Sequence, residues 1–198
     1  MEVMKIEEAK KLFEDLAYSN IHRKGITSLM VWLEQETDFF SSPASTKYHG
    51  SYEGGLLEHS LEVYAEFLKL ASPFNYDLSN SVLRESATIV TLFHDLCKIN
   101  SYQKSVRSVK DQDTGIWESV PCYIYSSEAD QFGGHGAASV YYINEHMPLT
   151  FAESQAIYHH MGAWDASKYD NPGKAYENNK LAWLLHVADE AATYIAGI

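Results

Sequence analysis

Apolar residues recur at steps of three and four along most of this 198-residue chain, and that one period dictates a fold of packed helices. Ile6, Ala9, Phe13 and Leu16 share one face of a predicted helix over 5–17, and Ile26, Leu29, Met30 and Leu33 share one over 26–36. "DFFSSPASTKYHGSYEGG" then breaks the period with Ser, Pro and Gly and reads as a long loop. Leu57, Leu61, Tyr64 and Leu68, flanked by Leu56, Val63 and Phe67, predict a helix over 56–70. Leu83, Ala87, Val90 and His94 fall in register along another over 80–98. Only "VRSVKDQDTGIWESVPCYIY" is strand-like, and its two short runs around Asp113-Thr114-Gly115 predict a hairpin. Beyond it, "QFGGHGAASVYYINEH" reads as a Gly-rich turn and a helix bearing Ala137, Val140, Tyr141 and Asn144. Thr150, with Glu153 three residues on, marks the start of a helix to Met161. A last helix is expected from Glu177 to the C-terminus. The expectation is an all-α single domain with one small β-hairpin insertion. With 45% hydrophobic residues such a chain can bury a sizeable core.

Charge narrows the partners. A formal net charge of -12 argues against a sequence-independent grip on duplex nucleic acid, which needs many Lys and Arg to neutralise phosphates. Lys98, Lys104, Arg107 and Lys110 nonetheless crowd into one segment, so a local positive patch toward a small anion survives the global deficit. The two cysteines, Cys97 and Cys122, form no Cys-x-x-Cys pair and fit a reducing compartment. No apolar run approaches the roughly 20 residues of a membrane span, and "MEVMKIEEAKKLF" is amphipathic and charged rather than a secretory signal. The expected location is cytoplasmic, with no membrane partner.

Within "TLFHDLCKIN" the pattern and the residue types conflict, because His94 falls on the apolar stripe with Asp95 beside it. Asp189 shares a stripe with Ala182, Leu185 and Ala192, and His59 lies among Leu56, Val63 and Phe67. Burying a carboxylate without a partner is very costly. Three helices that each offer His or Asp from an apolar face are most simply explained by convergence on a metal in the core. Imidazole and carboxylate together suit divalent ions such as Mn, Fe, Ni, Zn, Co or Mg, and the absence of clustered thiolates disfavours a structural zinc knuckle. On a helix His94 and Asp95 would lie about 100° apart, so an ion must sit between their directions, and Asp95 could then give one oxygen to each of two ions. Lys98, three residues after Asp95, projects on the same side.

His59 in "GGLLEHS", the doublet in "LFHDLCK" and Asp189 in "LLHVADE" resemble, in order, the H...HD...D signature of the HD-domain superfamily of metal-dependent phosphohydrolases. The resemblance runs from about Tyr48 to Tyr194. It implies an HD-type helical bundle over 1–198, with N-terminal helices in 1–40, a metal-binding core over 48–198 and a hairpin insertion at about 100–132. Position by position, His59, His94, Asp95 and Asp189 resemble the ligands of a first metal. His135 in "GGHG" and His160 in "YHHMG" resemble those of a second, with Asp95 bridging and His159 the rival to His160.

The resemblance further implies two divalent ions and hydrolysis of a phosphate ester through a metal-activated water, with Asp95 positioning the nucleophile. Lys98 would bind substrate phosphate and assist the leaving group. Tyr102, Lys104 and Arg107 would be carried over the metals by the hairpin as substrate-binding residues, with Trp117 or Tyr123 available to stack on a base. The implied partner is a small phosphorylated substrate, most simply a nucleotide. Two other readings share the pattern: an HD-fold diiron oxygenase and a non-catalytic nucleotide-binding module. His22, His49, His146, His186, Trp164 and Asp165 fall outside the expected site, with a supporting role open to His186, three residues before Asp189.

Overall fold

A buried helix with apolar residues on almost every side must sit at the centre of a bundle, and α3 (Gly55–Ala71) is such a helix, burying Leu56, Leu57, His59, Leu61, Val63 and Phe67. The computed structural model describes residues 5–127 and 133–198. α1 (Ile6–Asn20), α4 (Ser81–Phe93) and α8 (Lys180–Ala191) pack around α3. α2 (Ile26–Gln35), α5 (His135–His146), α6 (Phe151–Tyr158) and α7 (Pro172–Asn178) complete eight α-helices among the described residues. β1 (Tyr102–Lys110) and β2 (Trp117–Tyr125) pair antiparallel from Tyr102 opposite Tyr125 to Lys110 opposite Trp117. The protein is therefore mostly helical with one two-stranded sheet. Residues 1–4, and the expected end of the insertion at 132, lie outside the described residues. Among those described, no helix is long and apolar enough to cross a membrane.

Aromatic packing ties the N-terminal helix to the core. The Phe13 ring centroid lies 5.1, 5.7 and 5.6 Å from those of Phe39, Phe40 and Phe93, each within the range of favourable tilted or edge contacts. A buried ion pair does the same on the other side. Arg23 donates to both oxygens of the fully buried Glu153, at 2.5 and 2.9 Å. Glu153 also accepts from Ser86 Oγ and, as half of the predicted capping box with Thr150, from Thr150 N.

Three helix ends differ from the periodic reading. The helix expected over 80–98 stops at Phe93: Asp95 turns out of helical geometry (φ -106°, ψ 23°), and a short 3-10 turn, Leu96–Lys98, follows. His94 and Asp95 are therefore not set about 100° apart on one helix, since only His94 retains helical backbone. The helix expected to reach Met161 ends at Tyr158. The helix expected from Glu177 onward is broken at Asn179, whose extended backbone separates α7 from α8 and whose side chain caps Leu181 N. Apolar period continues through such breaks because short polar side chains can satisfy a helix end without interrupting the buried stripe.

Candidate metal centre

Two of the three helix ends that the period misjudged build the site. The last carbonyls of a helix have no partner within it. At the end of α4, Thr91 O accepts from His94 Nδ1 at 2.9 Å, and at the end of α6, Ile157 O accepts from His160 Nδ1 at 2.7 Å. A carbonyl can only accept, so each ring donates from Nδ1, and in its neutral form each presents a bare Nε2 lone pair. His59 is fixed in the same way by Ile198 O at 2.9 Å.

Those three Nε2 atoms converge on two carboxylates. His59 Nε2 is 3.1 Å from Asp189 Oδ1 and 3.6 Å from Asp95 Oδ2. His94 Nε2 is 3.5 Å from Asp95 Oδ2 and 3.8 Å from Asp189 Oδ1, and His160 Nε2 is 3.5 Å from Asp95 Oδ1. Lone pairs facing carboxylate oxygens repel unless a cation or a proton lies between them. All three nitrogens are buried without a hydrogen-bond partner, an arrangement that costs stability and that a divalent ion would relieve. The residues present thus fit a metal. The ligand atoms of His59, His94 and Asp189 lie within 4.8 Å of one another, as do those of His94, Asp95 and His160, and those of Asp95, Cys97 and His135.

Electrostatics point the same way. Burial alone would push the Asp95 carboxyl up, but Lys98, His94 and His160 outweigh it and hold Asp95 well below the usual carboxylate range. Burial likewise opposes the ionisation of Asp189, but His59, His94 and His160 more than offset burial and hold that carboxyl below the usual range. Burial lowers His94 to about 4, so that it stands neutral, ready to ligate. Lys98, 9% exposed, holds Asp95 Oδ2 at 2.6 Å.

Of the residues that the sequence singled out, His59, His94, Asp95, Lys98, His135, His160 and Asp189 are brought together. His159 is not: it is half-buried, its ring lies 4.8 Å from Tyr158, and its carbonyl is held by Tyr176 Oη. Tyr102 is half-buried, its phenol pushed up by burial, Tyr125 and the Asp95 charge, which places it within electrostatic reach of the cluster. Lys104 is exposed and paired with Glu53 at 2.9 Å. Arg107 is exposed farther along β1, where strand alternation puts it on the face opposite Tyr102 and Lys104. The hairpin delivers its first residues toward the cluster and not Arg107.

Four contributors were not in the expected site. His49 comes from the loop between α2 and α3; its ring centroid is 5.0 Å from that of His59 and its Nδ1 is buried without a partner. Burial, with His59 and Lys98 close by, pushes it down to about 4. That loop reaches α3 because Gly55 is bare: a Cβ there would overlap the Gly50 backbone. Asp165 lies over Gly134 and accepts weakly from Gly136 N at 3.4 Å, holding the start of α5 and with it His135. His186 donates from Nδ1 to His160 O at 2.6 Å and stacks on Tyr176, steadying the turn that presents His160. Cys97 Sγ is 3.8 Å from Asp95 Oδ1. "YHG" shortly before "GGLLEHS", Cys97 inside "HDLCK" and the three-residue spacing of His186 from Asp189 were the visible signals.

The chain is 32% identical over 102 residues to the dihydroneopterin 2',3'-cyclic phosphate phosphodiesterase of Methanocaldococcus jannaschii. The match covers 51% of this chain and 39% of that protein, so the chain spans well under half of that relative. No protein-family model matches the chain, and no solved structure matches it. A distant relative is thus a phosphodiesterase, and this chain carries a buried His/Asp cluster able to hold a metal ion.

Proposed function

We propose that the chain is a metal-dependent phosphoester hydrolase of the HD type, acting on a small phosphorylated substrate such as a nucleotide or a cyclic phosphodiester. The observation that carries this reading is the set of three orphaned Nε2 atoms facing Asp95 and Asp189 beside a buried lysine. The relative's action on a cyclic phosphate supports it. In this reading 1–198 is one domain, with N-terminal helices in 1–40, the metal-binding core over 48–198 and the hairpin as an insertion at about 100–132.

His59, His94, Asp95 and Asp189 would hold one divalent ion, and Asp95, His135 and His160 a second. Bound there, such ions activate water and offset charge on phosphoryl oxygens. The chain's own residues do the rest. Asp95 is reached on Oδ1 by His160 and on Oδ2 by Lys98, His59 and His94, so its carboxylate is fixed before substrate arrives. Lys98 brings a buried ammonium that a phosphoryl or leaving-group oxygen can share, offsetting charge as the ester bond breaks. Nδ1 bonds to backbone carbonyls keep His59, His94 and His160 from rotating or changing tautomer. Tyr102 and Lys104 form the rim from which a substrate phosphate would be approached, and the net charge of -12 favours small substrates over polynucleotides.

Elemental analysis of freshly purified protein, with phosphate or phosphomonoester release followed for nucleotides and cyclic phosphodiesters under added manganese, cobalt or magnesium, tests this. Metal bound near the cluster's capacity, with release from one substrate class, is expected. Bound iron with oxygen uptake and no release would replace the hydrolase by an oxygenase.

A further inference from the structure

We propose that Cys97 is a sulfur ligand at the second metal position, completing a set of Asp95, His135, His160 and Cys97 that selects a thiophilic ion. This rests on the metal-centre reading above and goes beyond it, because the His/Asp signature contains no thiol. The 3-10 turn that follows Asp95 swings Cys97 back toward the aspartate, so that its Sγ lies 3.8 Å from Asp95 Oδ1. That oxygen is not the one that Lys98 holds; Lys98 takes Oδ2. The ligand atoms of Asp95, Cys97 and His135 fall within 4.8 Å of one another.

Two further side chains bring unpartnered nitrogens to the surroundings of Asp95. His160 is fully buried, and its unpartnered Nε2 approaches the same Oδ1 at 3.5 Å. His135 carries a buried, unpartnered Nδ1. The weak thiol hydrogen bond to Oδ1 accounts for the place of Cys97 alone; the two imidazole nitrogens left without partners beside Asp95 are what a cation accounts for. Ser139 Oγ accepts from the Cys97 amide at 3.0 Å and fixes the backbone that carries the thiol. On coordination the sulfur–metal bond forms as the thiol proton leaves to solvent. A mixed N, O and S set favours iron, cobalt or zinc over magnesium, which prefers oxygen alone.

Cobalt(II) is the probe. Protein stripped by chelator under reducing conditions is titrated anaerobically with cobalt, following bound metal by equilibrium dialysis and the near-ultraviolet sulfur-to-cobalt charge-transfer band. The wild type and Cys122→Ser, which removes the other cysteine, are expected to develop the band as the second ion binds. Cys97→Ser is expected to lose the band and to bind that ion at least about tenfold more weakly, while retaining the first. Cobalt bound by the wild type without the band, or an undiminished band in Cys97→Ser, would overturn the sulfur ligand and leave the His/Asp centre standing. No cobalt bound at all would overturn the centre and this ligand with it.

Discussion

Lys98→Ala removes the ammonium 2.6 Å from Asp95 Oδ2, and the account predicts that divalent ions then bind more tightly. Asp95 is 3% exposed, so in the metal-free protein the substitution leaves a buried carboxylate without its nearest counter-charge. Removing one partner of a buried pair costs about 3–5 kcal/mol. His160, which Asp95 holds toward its protonated form, remains beside that carboxylate and tempers the loss, so the lower end, about 3 kcal/mol, is expected. For a chain of this size that lowers the melting temperature by about 6–12 °C. A cation at Asp95 supplies the missing charge. If binding recovers half the penalty, about 1.5 kcal/mol, affinity rises about tenfold. Thermal melts in chelator, and competition of the protein against a chromophoric chelator, measure both quantities on one sample. Turnover should fall even as metal is retained, because the ammonium proposed to face the phosphoryl oxygen is gone. Unchanged metal-free stability together with weaker metal binding would refute the reasoning and make Lys98 part of the metal-holding structure.

Glu153→Ala leaves Arg23 only Glu85 and the Pro148 carbonyl, strands Ser86 Oγ and Thr150 N, and should cost about 3 kcal/mol in urea denaturation without changing metal affinity; a loss under about 1 kcal/mol would show that Glu85 compensates for the lost pair. In metal-free protein, His94 has a folded-state value of about 4 against an ordinary 6.5, so the unfolded chain takes up the proton first. Stability should therefore fall as pH drops from about 6.5 toward 4, by about 2 kcal/mol from His94 at pH 5, reinforced by His49 and partly offset by His160, which burial lowers but Asp95 raises overall. Higher metal-free stability at pH 5 than at pH 7 would contradict this. Gly136→Ala drives a Cβ into the Tyr158 backbone, and the resulting shift of α5 should cost about 1–3 kcal/mol and loosen the ion near His135, seen as faster metal loss to a chelator.

Helical period made the bundle legible, since each stripe could be counted residue by residue. It also exposed the site, because His59, His94 and Asp189 are polar groups on stripes that otherwise exclude them. What period could not show is where a helix stops. α4 continues its apolar pattern past Phe93, and only the His94 ring bonding back to Thr91 O, with Asp95 leaving helical geometry, ends it. That same turn aims Asp95, Cys97 and Lys98 into one cluster, so the error at the helix end and the silence about Cys97 have one cause. His49 lies in a loop without period, and its place depends on two glycine backbones in contact. Arg107 stood out by composition, yet strand alternation turns it to the other face of the hairpin, a consequence of register that charge alone does not reveal.

The most direct test of the central claim is hydrolysis of a chromogenic phosphodiester and a phosphomonoester by one preparation in three states: chelator-stripped, reconstituted with manganese or cobalt, and reconstituted after Asp95→Ala. The account predicts turnover of one ester only in the reconstituted wild type, rising with bound metal, and neither tight metal binding nor turnover in Asp95→Ala. Equal turnover in the stripped protein, or full activity in Asp95→Ala, would contradict it.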